Sequence, residues 1–232
     1  MFTRYAIFYT LPPCPLAEFG AAWLGWDIAL AKRVGHPDMD GLDISSITQA
    51  PRKYGLHGTI KPPFQLAEGT SEQELKNALA LLFQDLQPVM LDRLKLTTLG
   101  RFLALVPLGD VVELNNLAAK VVKTLDGFRA PLTESEYARR CGANLSPAQK
   151  ENLRNWGYPH VMDAFKFHIT LTGKLDKVTL SKVILALDPV ITPMIPQPFV
   201  INSLTLVAER TDGMFIALDR YPLGVSEPKA NA

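Results

Sequence analysis

The sequence has few of the features that disulfide-bonded or membrane-spanning proteins need. It contains only two cysteines, Cys14 and Cys141, in unrelated contexts, so we expect no disulfide framework and a reducing compartment. No apolar run approaches the roughly 20 residues of a transmembrane helix. The first residues lack the basic and apolar regions of a secretory signal peptide. These absences predict a cytoplasmic protein without a membrane segment.

An excess of charge of one sign is also missing. The 24 Lys and Arg residues are balanced by 23 Asp and Glu residues, which leaves a net charge of +1. Proteins that bind along a nucleic acid usually carry a basic excess, because neutralising phosphates supplies their affinity. The balance therefore favours a small phosphorylated substrate over a long polymer, and it leaves an oligonucleotide end open. With 47% hydrophobic residues, the chain is expected to form a globular core.

Only four histidines are present, and two of them stand in the same short pattern. Residues 56–60 are LHGTI and residues 167–171 are FHITL, so each histidine is followed two positions later by threonine. On a strand, residues i and i+2 lie on the same face. An imidazole can give or take a proton near neutral pH, and a threonine hydroxyl can donate to a phosphate oxygen.

One such pattern alone is more simply a strand histidine bonded to a backbone carbonyl. Two copies in matching contexts predict one metal-independent phosphoester-processing site, with His57 and His168 as catalytic residues and Thr59 and Thr170 binding phosphate. The four histidines and two cysteines lack the spacing of a metal site, so we predict no metal and no cofactor.

Hydrophobic periodicity and turn residues predict two similar halves in a single domain over residues 1–225. In each half, a His-x-Thr strand precedes a helix and two further strands, which suggests a duplicated unit. The expected strands are 4–11, 54–60 (closed by two prolines), 94–98, 102–107, 165–172, 199–209 and 214–221. The expected helices are 16–32, 70–87, 114–125 and 175–187, with a helical insertion at about 129–162 and a flexible tail at 226–232.

Other residues are candidates for the same site. Strand alternation places Lys61, Lys166 and Thr172 on the face of the histidines, and Lys61 is predicted to bind phosphate unless it is only a solvated rim lysine. Arg52 is a candidate for a second phosphate. Further candidates for the cleft lining are Tyr158, Arg139 and Arg140. The two arginines either lie on a solvated helical face or, if the insertion is a lid, close on the substrate.

With both motifs in view, the chain resembles the 2H phosphoesterase superfamily, which is named for paired His-x-Thr/Ser motifs. It is most similar to a bacterial family that is found with phosphonate-utilisation genes and is also catalogued as a domain of unknown function. The blocks that carry this resemblance are residues 4–7, 19–25, 51–64, 102–107, 128–133, 156–159 and 167–173. One departure is Gly58, at a position where this family usually has alanine. Position 58 faces away from the cleft, so no change in chemistry is expected.

The resemblance implies an α+β fold with two antiparallel-sheet lobes, flanking helices and a pseudo-twofold cleft that contains the four motif residues. It also implies a cyclic phosphodiesterase, and the phosphonate association suggests a ribose cyclic phosphate as substrate. Two alternatives stay open, a non-catalytic binding module for a nucleotide or phosphosugar and an RNA end-processing 2′-5′ ligase or phosphodiesterase. The choice of acid and base, the 1,2- or 2′,3′-cyclic ring and the oligomeric state also stay open.

Overall fold

A computed structural model of the protein describes residues 2–141 and 144–224, so the predicted tail at 226–232 lies outside the described residues. The strands are β1 (Arg4–Thr10), β2 (Trp26–Asp27), β3 (Lys32–Arg33), β4 (His57–Phe64), β5 (Val89–Leu91), β6 (Arg93–Leu99), β7 (Phe102–Leu108), β8 (Ile169–Thr170), β9 (Phe199–Ile201), β10 (Ser203–Glu209) and β11 (Phe215–Pro222). The helices are α1 (Pro15–Leu24), α2 (Ile44–Ile47), α3 (Gln49–Arg52), α4 (Glu72–Gln84), α5 (Val112–Thr124), α6 (Glu134–Arg140), α7 (Pro147–Trp156) and α8 (Lys177–Ile191).

Seven strands form one antiparallel sheet in the order β11-β10-β1-β4-β8-β7-β6. The two motif strands, β4 and β8, are neighbours at its centre, and the pair Gly58↔Ile169 joins them. The sheet therefore consists of two halves that meet at the motifs. A separate ribbon pairs β5 with β9, and β2 and β3 form a short hairpin.

The two halves repeat the same order of elements. The succession β1-α1-β4-α4-β5-β6 is matched by β7-α5-β8-α8-β9-β10, with β11 as an addition at one edge. The axis that relates the two halves runs between β4 and β8. Strands β5 and β9 occupy corresponding positions in the two halves, and they pair with each other. This confirms the predicted α+β fold of two antiparallel lobes. The repeat begins one strand before the motif strand, and not at the motif strand as predicted.

The long helices cover one face of the sheet. Along β1, the side chains of Tyr5, Ile7 and Tyr9 enter the main core together with apolar residues of α1, α4, α5 and α8. The alternate residue Phe8 packs on the opposite face in a smaller cluster that includes Phe215. The long helices leave this opposite face uncovered, and polar strand residues remain accessible there.

One contact ties the first helix to the second motif. Trp23 of α1 is fully buried, and its indole Nε1 donates a hydrogen bond of 2.8 Å to the carbonyl oxygen of Leu171. Burying a large apolar side chain stabilises a fold by about 1.5–3 kcal/mol, and the bonded indole N–H avoids the cost of an unsatisfied donor. The chain just after His168 and Thr170 is thereby held against the core.

Several predicted boundaries are wrong for identifiable reasons. Helix α1 ends at Leu24, and not at residue 32, because Gly25 adopts the left-handed conformation (φ 76°) that ends a helix. Strand β4 continues through both prolines to Phe64, where its pairing is with β1 on one side only. Helix α8 runs past Pro189 to Ile191, whose side chain is buried. The insertion holds α6 and α7 as separate helices.

Candidate active site

The four motif residues form a compact group on the two central strands. Because β4 and β8 are antiparallel with Gly58 opposite Ile169, the same register sets His57 opposite Thr170 and His168 opposite Thr59. Directly opposed residues on one face have Cβ atoms about 4.5–5.5 Å apart. Each histidine is therefore flanked by its own threonine along the strand and by the other threonine across it.

The two imidazoles are oriented in the same way. His57 donates its Nδ1–H to the carbonyl oxygen of Gly55 at 3.0 Å, and His168 donates its Nδ1–H to the carbonyl oxygen of Lys166 at 2.7 Å. A carbonyl oxygen can only accept, so Nδ1 carries the hydrogen in both rings. The Nε2 atom of each ring is thereby left for chemistry. At His57 this atom lies 3.1 Å from Oγ1 of Thr59.

The His57 ring lies among aromatic side chains. Phe8 is stacked on it with ring centroids 3.9 Å apart, and the Tyr54 ring is 5.7 Å away. Burial, helped by the nearby His168, lowers the pKa of His57 to about 4, although its hydrogen bond to Gly55 opposes the shift. His57 is consequently neutral at pH 7, with an unprotonated Nε2 that can accept a proton.

His57, Thr59 and Thr170 border a cavity of about 520 Å³. His168 stands beside this cavity, with its ring centroid 5.8 Å from that of Phe102, which lines it. The sequence analysis missed further lining residues, which include Arg4, Phe8, Tyr54, Phe102 and Lys174. Sequence alternation carried no clear signal for Phe8, because it reaches the cavity through the pairing of β1 with β4, in which it lies opposite Thr59.

Lys61 does not lie on the face of the histidines, so that prediction was wrong. In β4, Thr59 pairs with Phe8 and Lys61 pairs with Ile7, which leaves Ile60 as an extra residue in a bulge. A bulge interrupts alternation, and both Ile60 and Lys61 turn towards the helices. The Lys61 ammonium donates to the carbonyl oxygen of Val122 at 3.1 Å, and the residue is 2% exposed.

Arg52 and Lys166 also lie away from the cavity lining. The Arg52 guanidinium donates to the carbonyl oxygens of Leu24 and Ser45 and to Oγ1 of Thr48, so it joins α3 to α1 and α2. Arg52 therefore has a structural position, and not one that reaches a second phosphate in this cavity. The Lys166 side chain is exposed, and its carbonyl oxygen is the part that contacts His168.

Thr172, Tyr158 and Arg140 do line the cavity. The Thr172 hydroxyl is already used, because it accepts from the buried N–H of Leu103 at 3.0 Å and donates to the carbonyl oxygen of Gly173 at 2.9 Å. Arg140 donates to the carbonyl oxygen of Gly157 at 2.8 Å and brings the insertion to the cavity.

Arg139 is exposed and borders a neighbouring cavity instead of the one at the histidines. Among residues 2–141 and 144–224, no group of three or more His, Cys, Asp or Glu residues is arranged to hold a metal ion. Within the same residues no helix is long and apolar enough to cross a membrane.

Comparison with known families gives one match that covers most of the chain. A family model described as "Protein of unknown function (DUF1045)" matches residues 59–216, a span that includes Thr59 and the whole second motif.

Two curated bacterial proteins, both named ribose 1,5-bisphosphate phosphokinase PhnN, are related to the chain. The relative from Janthinobacterium sp. (strain Marseille) is 33% identical over 238 residues, which cover 99% of this chain and 52% of that protein. The relative from Laribacter hongkongensis (strain HLHK9) is 35% identical over 179 residues, which cover 76% of this chain and 42% of that protein. The chain thus spans about half the length of the curated relatives it matches.

Solved structures with a similar arrangement include Escherichia coli LigT complexed with NADP+ and a protein described as a phosphoesterase. The first is 14% identical with a TM-score of 0.46, and the match covers 96% of this chain and 98% of LigT. The second is 16% identical with a TM-score of 0.42, over 95% of this chain and 98% of that one.

Proposed function

The chain belongs to the DUF1045 family, and we propose that it is a metal-independent phosphoesterase that opens a small cyclic phosphodiester by acid–base catalysis. The observation that carries this proposal is the matched orientation of the two histidines. Each donates its Nδ1–H to the carbonyl oxygen two residues earlier and presents Nε2 on the same face of the sheet. Two such groups around one cavity suit a reaction that removes one proton and supplies another.

In the proposed reaction His57 is the base. Its lowered pKa keeps Nε2 unprotonated, so this atom accepts a proton from a water molecule as the water oxygen bonds to phosphorus. The bond between phosphorus and one ring oxygen breaks, and His168 gives a proton from its Nε2 to that leaving oxygen. The product is a phosphate monoester with a free hydroxyl, and the histidines have exchanged protonation states.

The threonines hold the phosphoryl group. Thr59 and Thr170 lie beside the two histidines, where their hydroxyls can donate to the non-bridging oxygens. The Thr59 hydroxyl donates to Nε2 of His57, so it must turn to the phosphate when substrate binds. Positioned donors of this kind stabilise the charge that develops in the transition state.

A ribose cyclic phosphate is the proposed substrate. The cavity of about 520 Å³ has the size of a small-molecule site. The names of both curated relatives refer to a phosphorylated ribose, which supports this class of compound. The kinase activity in those names is not part of the proposal, because the sequence has no G-x-x-x-x-G-K-[ST] phosphate-binding loop.

Phosphorus NMR of the purified protein with a panel of cyclic phosphates tests this function. The panel contains ribose 1,2-cyclic phosphate and the four nucleoside 2′,3′-cyclic phosphates, and the spectra report turnover and the position of the product phosphate together. Conversion of at least one ring to a monoester in the presence of EDTA is expected. Tight nucleotide binding with every ring intact after long incubation would contradict the proposal and indicate a binding module.

A further inference from the structure

The insertion that holds α6 and α7 supplies part of the wall of the cavity at the histidines, through Arg140 and Tyr158. We propose that Arg129 is a positioning residue, which fixes this wall to the end of the motif strand β4 and thereby sets how tightly substrate binds. Arg129 borders the neighbouring cavity and not the one at the histidines. This inference rests on the proposed function, because it concerns the substrate affinity of the same site.

The backbone at Arg129 is attached to the chain that leaves β4. Leu66 and Arg129 form an isolated antiparallel bridge. Beside it, the N–H of Ala130 donates to the carbonyl oxygen of Gln65 at 2.8 Å. Because β4 carries the first motif, Arg129 has a defined position relative to the catalytic strand.

A buried ion cluster holds the Arg129 guanidinium on its inner side. Its Nε lies 2.8 Å from Oδ1 of Asp126, and its Nη2 donates to Oδ2 of the same carboxylate at 3.1 Å. The carboxylate also lies 3.6 Å from the ammonium of Lys61, the buried residue of β4. A forked arginine–carboxylate pair fixes the direction of the guanidinium as well as its distance. The side chain is therefore a rigid support and not a loose surface contact.

The outer side of the same guanidinium contacts the insertion. Nη2 donates to the carbonyl oxygen of Asn155, in the last turn of α7, at 3.2 Å. Gly157, which follows α7, lies directly on Arg129, since a Cβ atom there would be 3.0 Å from Nη1. The carbonyl oxygen of Gly157 in turn accepts from Arg140 at 2.8 Å, and Tyr158 is the next residue. The support at Arg129 thus determines where both wall residues lie.

Little else attaches the two helices of the insertion. Within the described residues, α6 buries no side chain and α7 buries Leu153 alone. In the same part of the chain, no hydrogen bond or salt bridge joins α6 or α7 directly to the sheet or to the helices packed on it. Elements with few buried contacts have low local stability. Loss of the Arg129 contact should therefore displace the wall while the sheet and both histidines stay in place.

A displaced wall has a kinetic signature of its own. Arg140 and Tyr158 take no part in the proposed proton transfers, and contacts made equally with bound substrate and transition state set KM and leave kcat unchanged. Lysine at position 129 keeps the positive charge but lacks the fork that reaches Asp126 and Asn155 together. Arg129→Lys therefore separates a positioning role from simple attraction between Arg129 and an anionic substrate.

Steady-state kinetics with adenosine 2′,3′-cyclic phosphate and ribose 1,2-cyclic phosphate tests the proposal. Arg129→Gln and Arg129→Lys should each raise KM about tenfold with kcat within about twofold, since one charge-assisted hydrogen bond is worth about that factor in affinity. Gly157→Ala should also raise KM, because the added Cβ pushes the insertion away from Arg129 and leaves the pair with Asp126 intact. Lys150→Gln removes an exposed charge of α7 and should leave both constants unchanged.

Hydrogen–deuterium exchange of the same proteins shows whether the effect is local. In Arg129→Gln and Gly157→Ala, the amides of α7 should exchange faster than in wild-type protein, whereas those of β4 and β7 should be unchanged. Wild-type exchange of α7 in both variants would overturn the proposal. If Arg129→Gln exchanges faster throughout because the fold is lost, Gly157→Ala decides, and a wild-type KM in that variant would overturn the proposal.

The outcomes separate this inference from the proposed function. An unchanged KM, a fall in kcat alone or full recovery in Arg129→Lys would overturn the positioning role and leave the phosphoesterase intact. If wild-type protein opens neither ring, the proposed function fails, and the calorimetric Kd of adenosine 2′,3′-cyclic phosphate takes the place of KM. A Kd that rises in Arg129→Gln and Gly157→Ala but not in Lys150→Gln would support the inference, whereas equal values or no binding at all would overturn it.

Discussion

His57 lies diagonally across the central strand pair from His168, and the two rings are held by the same backbone contact. Each Nδ1–H is donated to the carbonyl oxygen two residues earlier, Gly55 in one half and Lys166 in the other. The contact fixes the tautomer and directs Nε2 away from the strand. The repeated order of elements thus places two histidines in corresponding positions on one sheet face.

The surroundings of the two rings differ, and this difference predicts the pH dependence. Because burial against Phe8 and the nearby His168 lower the pKa of His57 to about 4, the acid limb of kcat/KM should lie near pH 4 and not near 6.5. Proton NMR of the histidine Cε1–H signals measures the pKa directly. In Phe8→Ala the His57 ring becomes more hydrated and its pKa should rise. A wild-type pKa near 6.5 would refute the assignment of His57 as a base with a lowered pKa.

The same shift has a consequence for stability. The unfolded chain binds a proton at His57 near pH 6.5, whereas the folded protein does so only near pH 4. Stability from this residue is therefore complete above pH 6.5 and is lost as the pH falls towards 4. Urea unfolding at pH 7 and pH 4.5 should show a smaller loss of stability in His57→Gln than in wild-type protein, and an equal loss would contradict the shift.

Two threonines on the same strand face provide a matched pair of variants. Thr170→Val removes a hydroxyl that faces the cavity, so kcat/KM should fall about 10- to 100-fold with stability within about 0.5 kcal/mol of wild type. Thr172→Val removes the acceptor of the buried Leu103 N–H, which should cost about 1–3 kcal/mol of unfolding free energy. Enzyme assays and urea titrations distinguish the two effects, and a reversal of this pattern would place the phosphate contact at Thr172.

Gly58 predicts a packing effect that is separate from catalysis. A Cβ atom at this position would lie 2.4 Å from the Phe167 ring, so Gly58→Ala should destabilise the fold by about 1–3 kcal/mol. The double variant Gly58→Ala/Phe167→Leu should recover part of this loss, because leucine vacates the space. Thermal unfolding of the three proteins tests the packing account, which is wrong if Gly58→Ala is as stable as wild type.

Strand alternation predicted the fold around the motifs but failed where pairing is irregular. Nothing in the sequence indicates that Ile60 is the extra residue of a bulge, and this one residue turns Lys61 from the cavity to α5. Nothing in the sequence indicates that the Arg52 guanidinium is taken up by the backbone carbonyl oxygens of Leu24 and Ser45, so it was wrongly predicted to be free to bind a phosphate. Arg4 was missed because its approach to the motif requires the pairing of β1 with β4.

Tertiary context also explains the element boundaries. The apolar spacing that predicted a helix over 16–32 continues past Gly25, but there the backbone turns left-handed and the next residues form the β2–β3 hairpin. Strand β8 is short because only two of its residues, Ile169 and Thr170, pair with the neighbouring strands β4 and β7. The composition of residues 165–172 cannot reveal where partner strands end.

The central claim is that His57 and His168 act together on one phosphorus atom, and single-turnover ring opening tests it most directly. His57→Ala and His168→Ala should each reduce the rate by about 10²- to 10⁴-fold, and the double variant should lose less than the product of the two, because the groups act as a unit. His160→Gln, an exposed histidine outside the cavity lining, is the control and should retain activity. Ring opening at the wild-type rate by either alanine variant would contradict the account.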